Sequence, residues 1–536
     1  MKRGLLRTGL LGAALLTGAL AYALVHRTPV IERYVSVDRL PRIRPDYVAA
    51  VIPPNIAPLN FRVDEPGTQY VVVIRSAKGQ EVRLFSKTGS VMIPQRAWRS
   101  LLQANRGGEL IFDVYVQAQD RQWHRYDSIR NAIAPDEMDP YLMYRLIDSE
   151  YNLYFHMGLY QRDLRNYDES VVLRSDFRGV ACMNCHTFLN NSADQMIVHI
   201  RGGASPYGNG MLLMNGATVR KIDTQTRFSL GLAAFTAWHP SGRLVVFSMN
   251  KIRQFFHTAR PETRDVVDMD SDLAVYLLAS RTVTSTSAIS SAVRLETWPT
   301  WSPDGRYLYF CSAPVLWADR ETVPPEQYRG VRYDLMRISY DISTGTWGNL
   351  ETVLSAAKTG LSIAQPRISP EGRFLAFCMS EYSTFPSFQP SSDLYLMDLE
   401  SGRYGRMACN SDRSESWHSW SSNSRWLVFS SKRDDGQSIR PYFSYVDENG
   451  VAHKPFVMPK EDPAFYDSFV DLFQMPEFVK GPVRQRGAKL ARAIGSAPWE
   501  RVDLPVTSAT QRPGGPSESS GEPSRGATGP AAPKRK

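Results

Sequence analysis

The feature that most constrains the fold is a short segment that recurs four times in the second half of the chain. Each copy joins a tight turn to an apolar run of β-forming residues. In the Ser-Pro-Asp-Gly form of the turn, the proline fixes φ and the glycine tolerates a positive φ. The fourth copy lacks this proline and glycine. The copies are Trp238–Ser248, Trp301–Ser312, Ile368–Cys378 and Trp420–Ser431.

The spacing of these copies predicts a β-propeller. Successive copies begin 52 to 67 residues apart, and a second strand follows most of them. Repeats of several strands with this period stack as blades around a central axis. Ala193–Thr224 is expected to form a diverged additional blade, and Phe465–Val479 to supply the closing strand. The chain is therefore predicted to be mainly β, with a propeller of five or six blades over residues 193–480.

The repeats resemble the TolB-type propeller repeat, whose pattern is W-S-P-D-G-x-x-L-x-F-x-S. The match is most specific at Trp301–Ser312 and weakest at Trp420–Ser431, whose turn must differ. The resemblance implies the propeller fold and a surface that binds other proteins.

A second feature, the C-x-x-C-H segment Cys182–His186, predicts a covalently attached haem c. The thiols of Cys182 and Cys185 can add to the two vinyl groups, and His186 can bind the iron as proximal ligand. The alternatives are a turn with two free thiols and half of a zinc site, which would need a second pair of ligands at short spacing. The remaining cysteines are single and distant: Cys311, Cys378 and Cys409.

Candidates for the sixth iron ligand follow the motif in one strand-like stretch. Met196 and His199 point to opposite faces of such a strand, so only one of them is expected to reach the iron. Met196 shares its face with apolar residues, as a core residue would. His199 shares its face with Arg201, whose guanidinium can pair with a haem propionate. His199 is therefore the preferred ligand and Met196 the alternative, while a core Met and a surface His remain the default interpretation. Outside candidates are His156, Met157, Met211 and Met214.

The first 27 residues have the pattern of an export signal. Lys2, Arg3 and Arg7 precede an apolar run from Thr8 to Val25, as in a signal peptide. The run also has the length of one membrane span, about 17–25 residues, so a cleaved signal and an inner-membrane anchor both stay open. Either places the remaining chain in the periplasm or at the outer face of the bacterial inner membrane.

Two regions before the repeats and one after them complete the predicted organisation. Residues 50–133 contain short alternating strands and predict a small β-sandwich. Residues 134–192 are expected to form a helical linker that carries the haem motif. Residues 495–536 are rich in Pro, Gly and Ser and are expected to form a disordered tail. The helical prediction rests on apolar residues at helix-like spacing: Met138, Leu142, Leu146 and Ile147.

The order of these regions resembles a group of exported bacterial proteins, in which a small β domain and a C-x-x-C-H segment precede a TolB-type propeller. The resemblance spans Val51 to Val479 and is carried, beside the motifs above, by Pro53–Pro58, Met138–Ile147 and His199–Gly202. It implies this architecture and one haem, attached outside the cytoplasm as in c-type cytochromes.

Three functions are compatible with such a chain. The first is electron transfer through the haem, with the propeller docking an unidentified redox or envelope protein. The second is a scaffold or binding protein whose haem is structural or sensory. The third, a haem enzyme, needs an open sixth position, and the sequence favours a carrier over a catalyst. The net charge of +9 includes no dense basic block interleaved with aromatic residues, so nucleic-acid binding is not indicated.

Overall fold

The computed structural model describes residues 29–148, 157–176, 182–201, 209–224, 232–257, 264–318, 325–485, 487–496 and 500–502. Within these ranges the chain is mainly β, as the sequence predicts, and contains 35 strands.

Ten strands and one helix form the N-terminal part of the molecule. The strands are β1 (Val35–Val37), β2 (Ile43–Arg44), β3 (Val51–Ile52), β4 (Phe61–Val63), β5 (Gln69–Arg75), β6 (Val82–Ser86), β7 (Ser90–Val91), β8 (Glu109–Gln117), β9 (Trp123–Tyr126) and β10 (Ile129–Ile133). Helix α1 (Gln95–Ala104) lies between β7 and β8 in the chain.

Two sheets and helix α1 share the core of this part. The larger sheet contains β1, β9, β8, β10 and β3, with β5 and β6 added at β8, and the smaller contains β2, β4 and β7. Trp98, Leu101 and Leu102 of α1 are buried, because their spacing places them on one helix face. The sandwich predicted for residues 50–133 is not confirmed as such, since a helix interrupts this range and β1 and β2 precede it.

Six antiparallel sheets follow the N-terminal part. The first contains β11 (Tyr141–Ile147), β12 (Gly158–Asp163) and β13 (Glu169–Arg174). The second contains β14 (Cys182–Phe188), β15 (Gln195–Arg201), β16 (Asn209–Asn215) and β17 (Thr218–Asp223). The third contains β18 (Leu232–Trp238), β19 (Leu244–Phe256), β20 (Arg264–Leu277) and β21 (Thr282–Thr284).

The remaining sheets have the same order of strands. The fourth contains β22 (Arg294–Trp301), β23 (Tyr307–Pro314), β24 (Asp334–Asp341) and β25 (Thr346–Leu354). The fifth contains β26 (Ser362–Ile368), β27 (Phe374–Ser380), β28 (Asp393–Asp398) and β29 (Tyr404–Arg406). The sixth contains β30 (Glu415–Trp420), β31 (Trp426–Ser431), β32 (Arg440–Tyr445) and β33 (Phe456–Val457). Short helices lie in the connections: α2 (Pro325–Tyr328), α3 (Ala356–Thr359) and α4 (Phe465–Ser468).

The six sheets form a closed ring. The innermost strands β14, β18, β22, β26 and β30 contact one another in succession, and β34 (Leu472–Val479) contacts both β30 and β14. β34 pairs antiparallel with β11, so the end of the chain completes the sheet that began the ring. This is the arrangement of a six-bladed β-propeller. The predicted closing strand within Phe465–Val479 is confirmed.

The helical linker predicted for residues 134–192 is wrong, and the difference is clearest between Ala134 and Asp168. This range contains the strands β11 and β12 instead, and residues 149–156 lie outside the described residues. β11 is buried on both faces from Leu142 to Leu146, so its sequence lacks the alternation that marks a half-exposed strand. The propeller therefore begins at Tyr141, and the haem motif lies inside the ring rather than in a linker before it.

Every innermost strand contains a bulge at the same point. The register shifts near the middle of all six, between Met183 and His186 in β14. Five of the bulges contain a residue with positive φ: Phe235, Trp298, Gln365, Trp417 and Met475. A bulge bends its strand and re-aims the side chains beside it, and here it directs them towards the central channel.

The C-terminal segment packs against the outside of the first two blades. Helix α5 (Gly487–Ser496) buries Leu490 and Ile494 in an apolar cluster with β12 and β15. Strand β35 (Glu500–Arg501) pairs parallel with β17. The described residues 495, 496, 500 and 501 belong to these two elements, so the disorder predicted from residue 495 is wrong for them. Residues 503–536 and the predicted signal or anchor of residues 1–27 lie outside the described residues. Within the described part, no helix is long and apolar enough to cross a membrane.

Candidate functional site

The motif residues lie on β14, the innermost strand of the second blade. Cys182 is opposite Arg201 and His186 is opposite Val198 on β15, and the bulge leaves Asn184 and Cys185 outside this register. A strand with a bulge, rather than a helical turn, therefore holds the C-x-x-C-H segment in this structure.

The two thiols are free and face different neighbours. Cys182 is half-buried, with Sγ 4.0 Å from Sδ of Met157. Cys185 is buried, and its Sγ accepts a hydrogen bond from the backbone N–H of Phe235 on β18. Burial raises the pKa of both thiols, so both are protonated at neutral pH. Cys311 and Cys378, outside the motif, are fully buried.

His186 carries an imidazole without a hydrogen-bond partner among the residues that the structure describes. The residue is 4% exposed, and neither Nδ1 nor Nε2 has a partner among the described residues. Burial lowers its pKa to about 3, so the ring is neutral at pH 7. A neutral imidazole is the form that binds metals, and a buried ring nitrogen without a partner is energetically unfavourable. The position therefore suits a ligand to a group that this structure does not contain.

Three guanidinium groups lie near the motif and shift the pKa values of its side chains. Arg145 and Arg367 oppose protonation of His186, and Arg201 lies close enough to favour the thiolate forms of both cysteines. Arg201 Nη2 donates to the carbonyl of Ala233 at 3.4 Å, while its Nε has no partner in the part of the chain that is described. Guanidinium groups in such positions can pair with carboxylates, including the two propionates of a haem.

His186 also lines a cavity of about 540 Å³ in the centre of the ring. All six innermost strands contribute to its walls. Five tryptophans from three of these strands line it: Trp238, Trp298, Trp301, Trp417 and Trp420. The charged and polar side chains of the wall include Gln365, Arg367, His418, Glu477 and Lys480. The cavity thus combines aromatic walls with groups that donate hydrogen bonds or carry charge.

His418 and Glu477 are set into this wall by defined contacts. The Nδ1 atom of His418 lies 3.7 Å from Sγ of Cys378, and its Nε2 has no partner within the described ranges. Oε1 of Glu477 accepts from the backbone N–H of Phe188 at 2.9 Å, which ties β34 to β14. Burial lowers the pKa of His418 to about 3 and raises that of Glu477 to about 7.

The sequence analysis did not assign a functional role to Arg367, His418 or Glu477. The repeats did contain information about these positions. The first residue of each repeat copy, a Trp or Ile, is also the last residue of an innermost strand. Residues one to three positions before it lie next to the bulge and can face the channel: Ala237, Thr300, Arg367 and His418.

The structure does not bring His199 together with His186. Val198, the cross-strand partner of His186, is on the opposite face of β15 from His199, and His199 Nε2 is hydrogen-bonded to Thr236 Oγ1 of the third blade. Met196 lies on the face of Val198, packed in an apolar cluster with Phe188. The two candidates lie on opposite faces of β15, but His199 is 1% exposed, so the surface position that the default interpretation gave it is wrong.

The outside candidates are not brought to the motif's imidazole either. Met157 packs in the same cluster as Met196 and Met214, and Met211 packs in the cluster between the second and third blades. His156 lies outside the described residues. Among the residues with described placement, no group of three or more His, Cys, Asp or Glu side chains could hold a metal ion.

The donor set fits a haem c in its chemistry. Two thiols three residues apart, a buried neutral imidazole without a described partner and nearby guanidinium groups match the chemistry of covalent haem. Cys182 and Cys185 pack in different apolar clusters, however, and neither lines the cavity that His186 lines. Residues 177–181, which directly precede the motif, and residues 202–208, which follow β15, lie outside the described residues.

No protein-family model matches the chain, and no curated protein sequence matches it. Several solved structures are similar in fold. A putative 6-phosphogluconolactonase from Bacteroides uniformis is 11% identical, with 73% of this chain and 98% of that chain covered and a TM-score of 0.33.

Two of the similar structures are β-propellers by description. The Dos1 propeller is 11% identical over 45% of this chain and 66% of that chain, with a TM-score of 0.27. The Cps50 (Swd1) β-propeller domain of Myceliophteria thermophila is 10% identical over 52% and 88%, with a TM-score of 0.28. TM-scores this low do not support a fold assignment. The six-bladed propeller is assigned from the closed ring of innermost strands.

Proposed function

We propose that this chain is an exported c-type cytochrome that transfers electrons through one covalently bound haem. Cys182 and Cys185 would form the two thioether bonds and His186 would be the proximal iron ligand. When bound, the haem supplies a one-electron couple, and the protein sets its ligands, polarity and access.

The observation that carries the proposal is the state of His186. A buried imidazole with two ring nitrogens and no partner in the described structure costs about 1–3 kcal/mol for each unsatisfied polar group. Coordination to iron would satisfy one nitrogen. The same residue is the histidine of the C-x-x-C-H segment, so the sequence motif and the unsatisfied group coincide.

Other residues would position the group. The interaction of Glu477 with the Phe188 backbone holds β14 against β34, so the ring itself fixes the strand that carries the motif. Arg201, together with Arg145 and Arg367, would compensate the charge of the two propionates. These three arginines come from three different blades, so the compensating charge exists only in the closed ring.

The proposed location is the periplasm or the outer face of the inner membrane, because the N-terminal segment has the pattern of a signal peptide or anchor. The proposed partner is a redox or envelope protein that docks on the propeller. Redox encounters need only a small contact area, below about 1,200 Å², so one end of the ring is large enough.

The test is expression of the full chain in a host competent for cytochrome c maturation, followed by the pyridine haemochrome assay and a potentiometric titration. We expect one haem per chain and a reversible one-electron couple. The variant Cys182→Ala/Cys185→Ala is expected to lose covalent haem, whereas the control Cys311→Ala is expected to retain it. Absence of haem from the unaltered chain would refute the proposal.

A second candidate function is a propeller scaffold whose haem is structural or sensory. It is favoured by the depth of the motif, because Cys185 is 2% and His186 4% exposed, whereas electron transfer needs a haem edge near the surface. This candidate predicts a haem that neither exchanges electrons with small cytochromes nor changes its spectrum when a partner binds.

A further inference from the structure

We propose that the central cavity is a binding site for a small organic carboxylate with a flat aromatic body, and that its carboxylate pairs with Arg367. The inference goes beyond the proposed electron transfer and does not depend on haem attachment, since neither motif cysteine lines this cavity. The volume of about 540 Å³ lies within the usual range of small-molecule sites, roughly 300–1,000 Å³.

The cavity has a closed end and an open end. The bulges form the closed end, where the ring centroid of Trp298 lies 3.6 Å from that of Phe235 and its Nε1 donates to Thr384 Oγ1 at 2.6 Å. The open end lies at the repeat turns, because the exposed residues Pro303 and Lys480 line the cavity there. A small molecule can therefore enter from the face of the repeat turns and rest on an aromatic floor.

The charge of Arg367 is the main argument for an anionic ligand. Within the described ranges its guanidinium forms no ion pair and no hydrogen bond, and the groups that attract it are Glu477 and Cys185. Neither offsets it fully at neutral pH, because the pKa of Glu477 is about 7 and the Cys185 thiol is protonated. Arg145 and Arg201 do not line the cavity and remain for the haem propionates. A charge inside a protein is stable when it is paired, so Arg367 is placed to bind an anion from outside the chain.

Two neutral donors line the cavity together with Arg367. Nε2 of Gln365 and Nε1 of Trp417 each lack a partner in the part of the chain that the structure describes. The amide of Gln365 is held in place, since its Oε1 accepts from the backbone N–H of Trp417 at 2.7 Å. Gln365 is 4% exposed, and a buried donor without a partner is unfavourable. A carboxylate has two oxygens that can accept from a guanidinium and from further donors at once.

The aromatic wall favours a flat apolar body for the rest of the ligand. Five tryptophans line the cavity, and the rings of Trp298 and Trp417 meet edge to face with centroids 5.2 Å apart. A further aromatic ring gains energy from stacked or edge contacts with such rings. The balance of charge disfavours a cation, because Arg367 and Lys480 face a single carboxyl in the described wall, that of Glu477.

The test is isothermal titration calorimetry of the full chain, purified from a host competent for cytochrome c maturation, with three probes. Naphthalene-2-carboxylate carries both the ring and the charge, naphthalene-2-carboxamide lacks the charge, and succinate lacks the ring. The variant Arg367→Gln removes the guanidinium, and Trp417→Phe removes the indole donor but keeps a ring. Arg403→Gln, in an exposed turn of the same blade, is the matched control.

We expect the unaltered protein to bind one naphthalene-2-carboxylate with a Kd of about 1 mM or tighter, the affinity that a ligand of this size commonly reaches. The carboxamide and succinate should bind at least about tenfold more weakly. Arg367→Gln should weaken binding of the acid at least about tenfold and bind acid and amide about equally, because a charged hydrogen bond is lost. Trp417→Phe should weaken it about two- to tenfold, and Arg403→Gln by less than about twofold.

The outcomes separate this inference from the proposed function. A folded, unaltered protein that binds none of the probes, or that binds acid and amide equally, overturns the inference, as does an unchanged affinity in Arg367→Gln. If Arg367→Gln does not fold, the comparison of acid with amide in the unaltered protein and the affinity of Trp417→Phe decide. A chain that carries haem but binds no acid refutes this inference alone, whereas a chain that binds the acid but carries no haem refutes the cytochrome alone.

Discussion

Burial determines the charge of the individual side chains around the channel. His186, His199 and His418 each have a pKa of about 3, because burial disfavours the charged ring. The same cause raises the pKa of Glu477 to about 7. At neutral pH the histidines are therefore uncharged and Glu477 is close to its midpoint, and the basic side chains in the cavity wall are Arg367 and Lys480.

The raised pKa of Glu477 predicts a loss of stability with rising pH. The carboxyl has a pKa of about 7 when folded against 4.5 as its ordinary value. The unfolded chain therefore releases this proton first, and the free energy of unfolding falls as pH rises from 4.5 to 7. Glu477→Gln removes this effect, so the free energy of unfolding of the variant should gain up to about 3 kcal/mol over that of the unaltered protein across the window.

Urea unfolding of both proteins across this window, and one pH unit to either side, provides the measurement. Subtracting the two curves at each pH cancels the contributions of the buried histidines, which act in the opposite direction. A difference between the proteins that does not vary with pH would contradict the assignment.

The cysteines should differ in reactivity before haem is attached. Cys182 is half-buried, whereas Cys185, Cys311, Cys378 and Cys409 are buried. Because reagents must reach the sulfur and a thiolate must form, haem-free protein should lose one thiol to iodoacetamide clearly before the other four. Peptide mass spectrometry should locate the first label at Cys182, and Cys182→Ser should abolish the fast phase. Equal labelling rates of all five thiols would contradict the prediction, because they would show that the four buried cysteines are as accessible to the reagent as Cys182.

At the scale of elements, innermost strands are the hardest to recognise from sequence. The strands after each repeat turn were predictable, because the turn residues mark where they begin. β11 was not, since burial on both faces removes the period of two and leaves an apolar run that also fits a helix. The predictable part of the fold is therefore where turns are exposed, and the unpredictable part is where strands are enclosed by neighbours.

The difference between local sequence patterns and contacts made only on folding also explains which residues of the candidate site could be predicted. Cys182, Cys185 and His186 are adjacent in sequence and could be found as a motif. His418 and Arg367 follow the motif by about two hundred residues and reach the cavity only because the ring closes. Closure depends on β34, which pairs with a strand more than three hundred residues earlier, and no local pattern records such a pairing.

Because β34 closes the ring, its core residues should have large effects on stability. Phe473 is fully buried, and its ring centroid lies 5.1 Å from that of Tyr144 on β11. Phe473→Ala should lower the free energy of unfolding by about 3–5 kcal/mol. Val470, three residues earlier and 65% exposed, provides the control, and Val470→Ala should change it by less than about 0.5 kcal/mol. Urea denaturation measures both, and similar effects would show that β34 does not close the ring.

At the scale of the whole molecule, the N-terminal part and the propeller share one apolar core. Trp98 and Phe112 belong to the same buried cluster as Trp426 and Phe443 of the sixth blade. Polar contacts continue this junction, since Asp139 accepts hydrogen bonds from the backbone N–H and Oγ of Ser422 at 2.6 and 2.7 Å. The N-terminal part thus covers the sixth and first blades, which are the blades that β34 joins.

A shared core predicts one cooperative unfolding transition for both parts. Small domains that share a core unfold together, because neither can lose its packing without exposing apolar surface of the other. Hydrogen exchange measured by mass spectrometry should therefore give the same free energy of opening for β5 in the N-terminal part and for β27 in the fifth blade. Asp139→Ala, which removes the acceptor of both Ser422 hydrogen bonds, should lower both values equally.

The result that contradicts this prediction is a separate transition. If β5 exchanges through an opening of lower free energy than β27, the N-terminal part unfolds by itself and the junction is weak. Ser401→Ala in the exposed turn between β28 and β29 serves as the control, because the described hydrogen bonds of its side chain are to Asp398 and Arg403, which are nearby in the chain. It should leave both elements unchanged, so that an equal loss in Asp139→Ala can be attributed to the junction between the two parts.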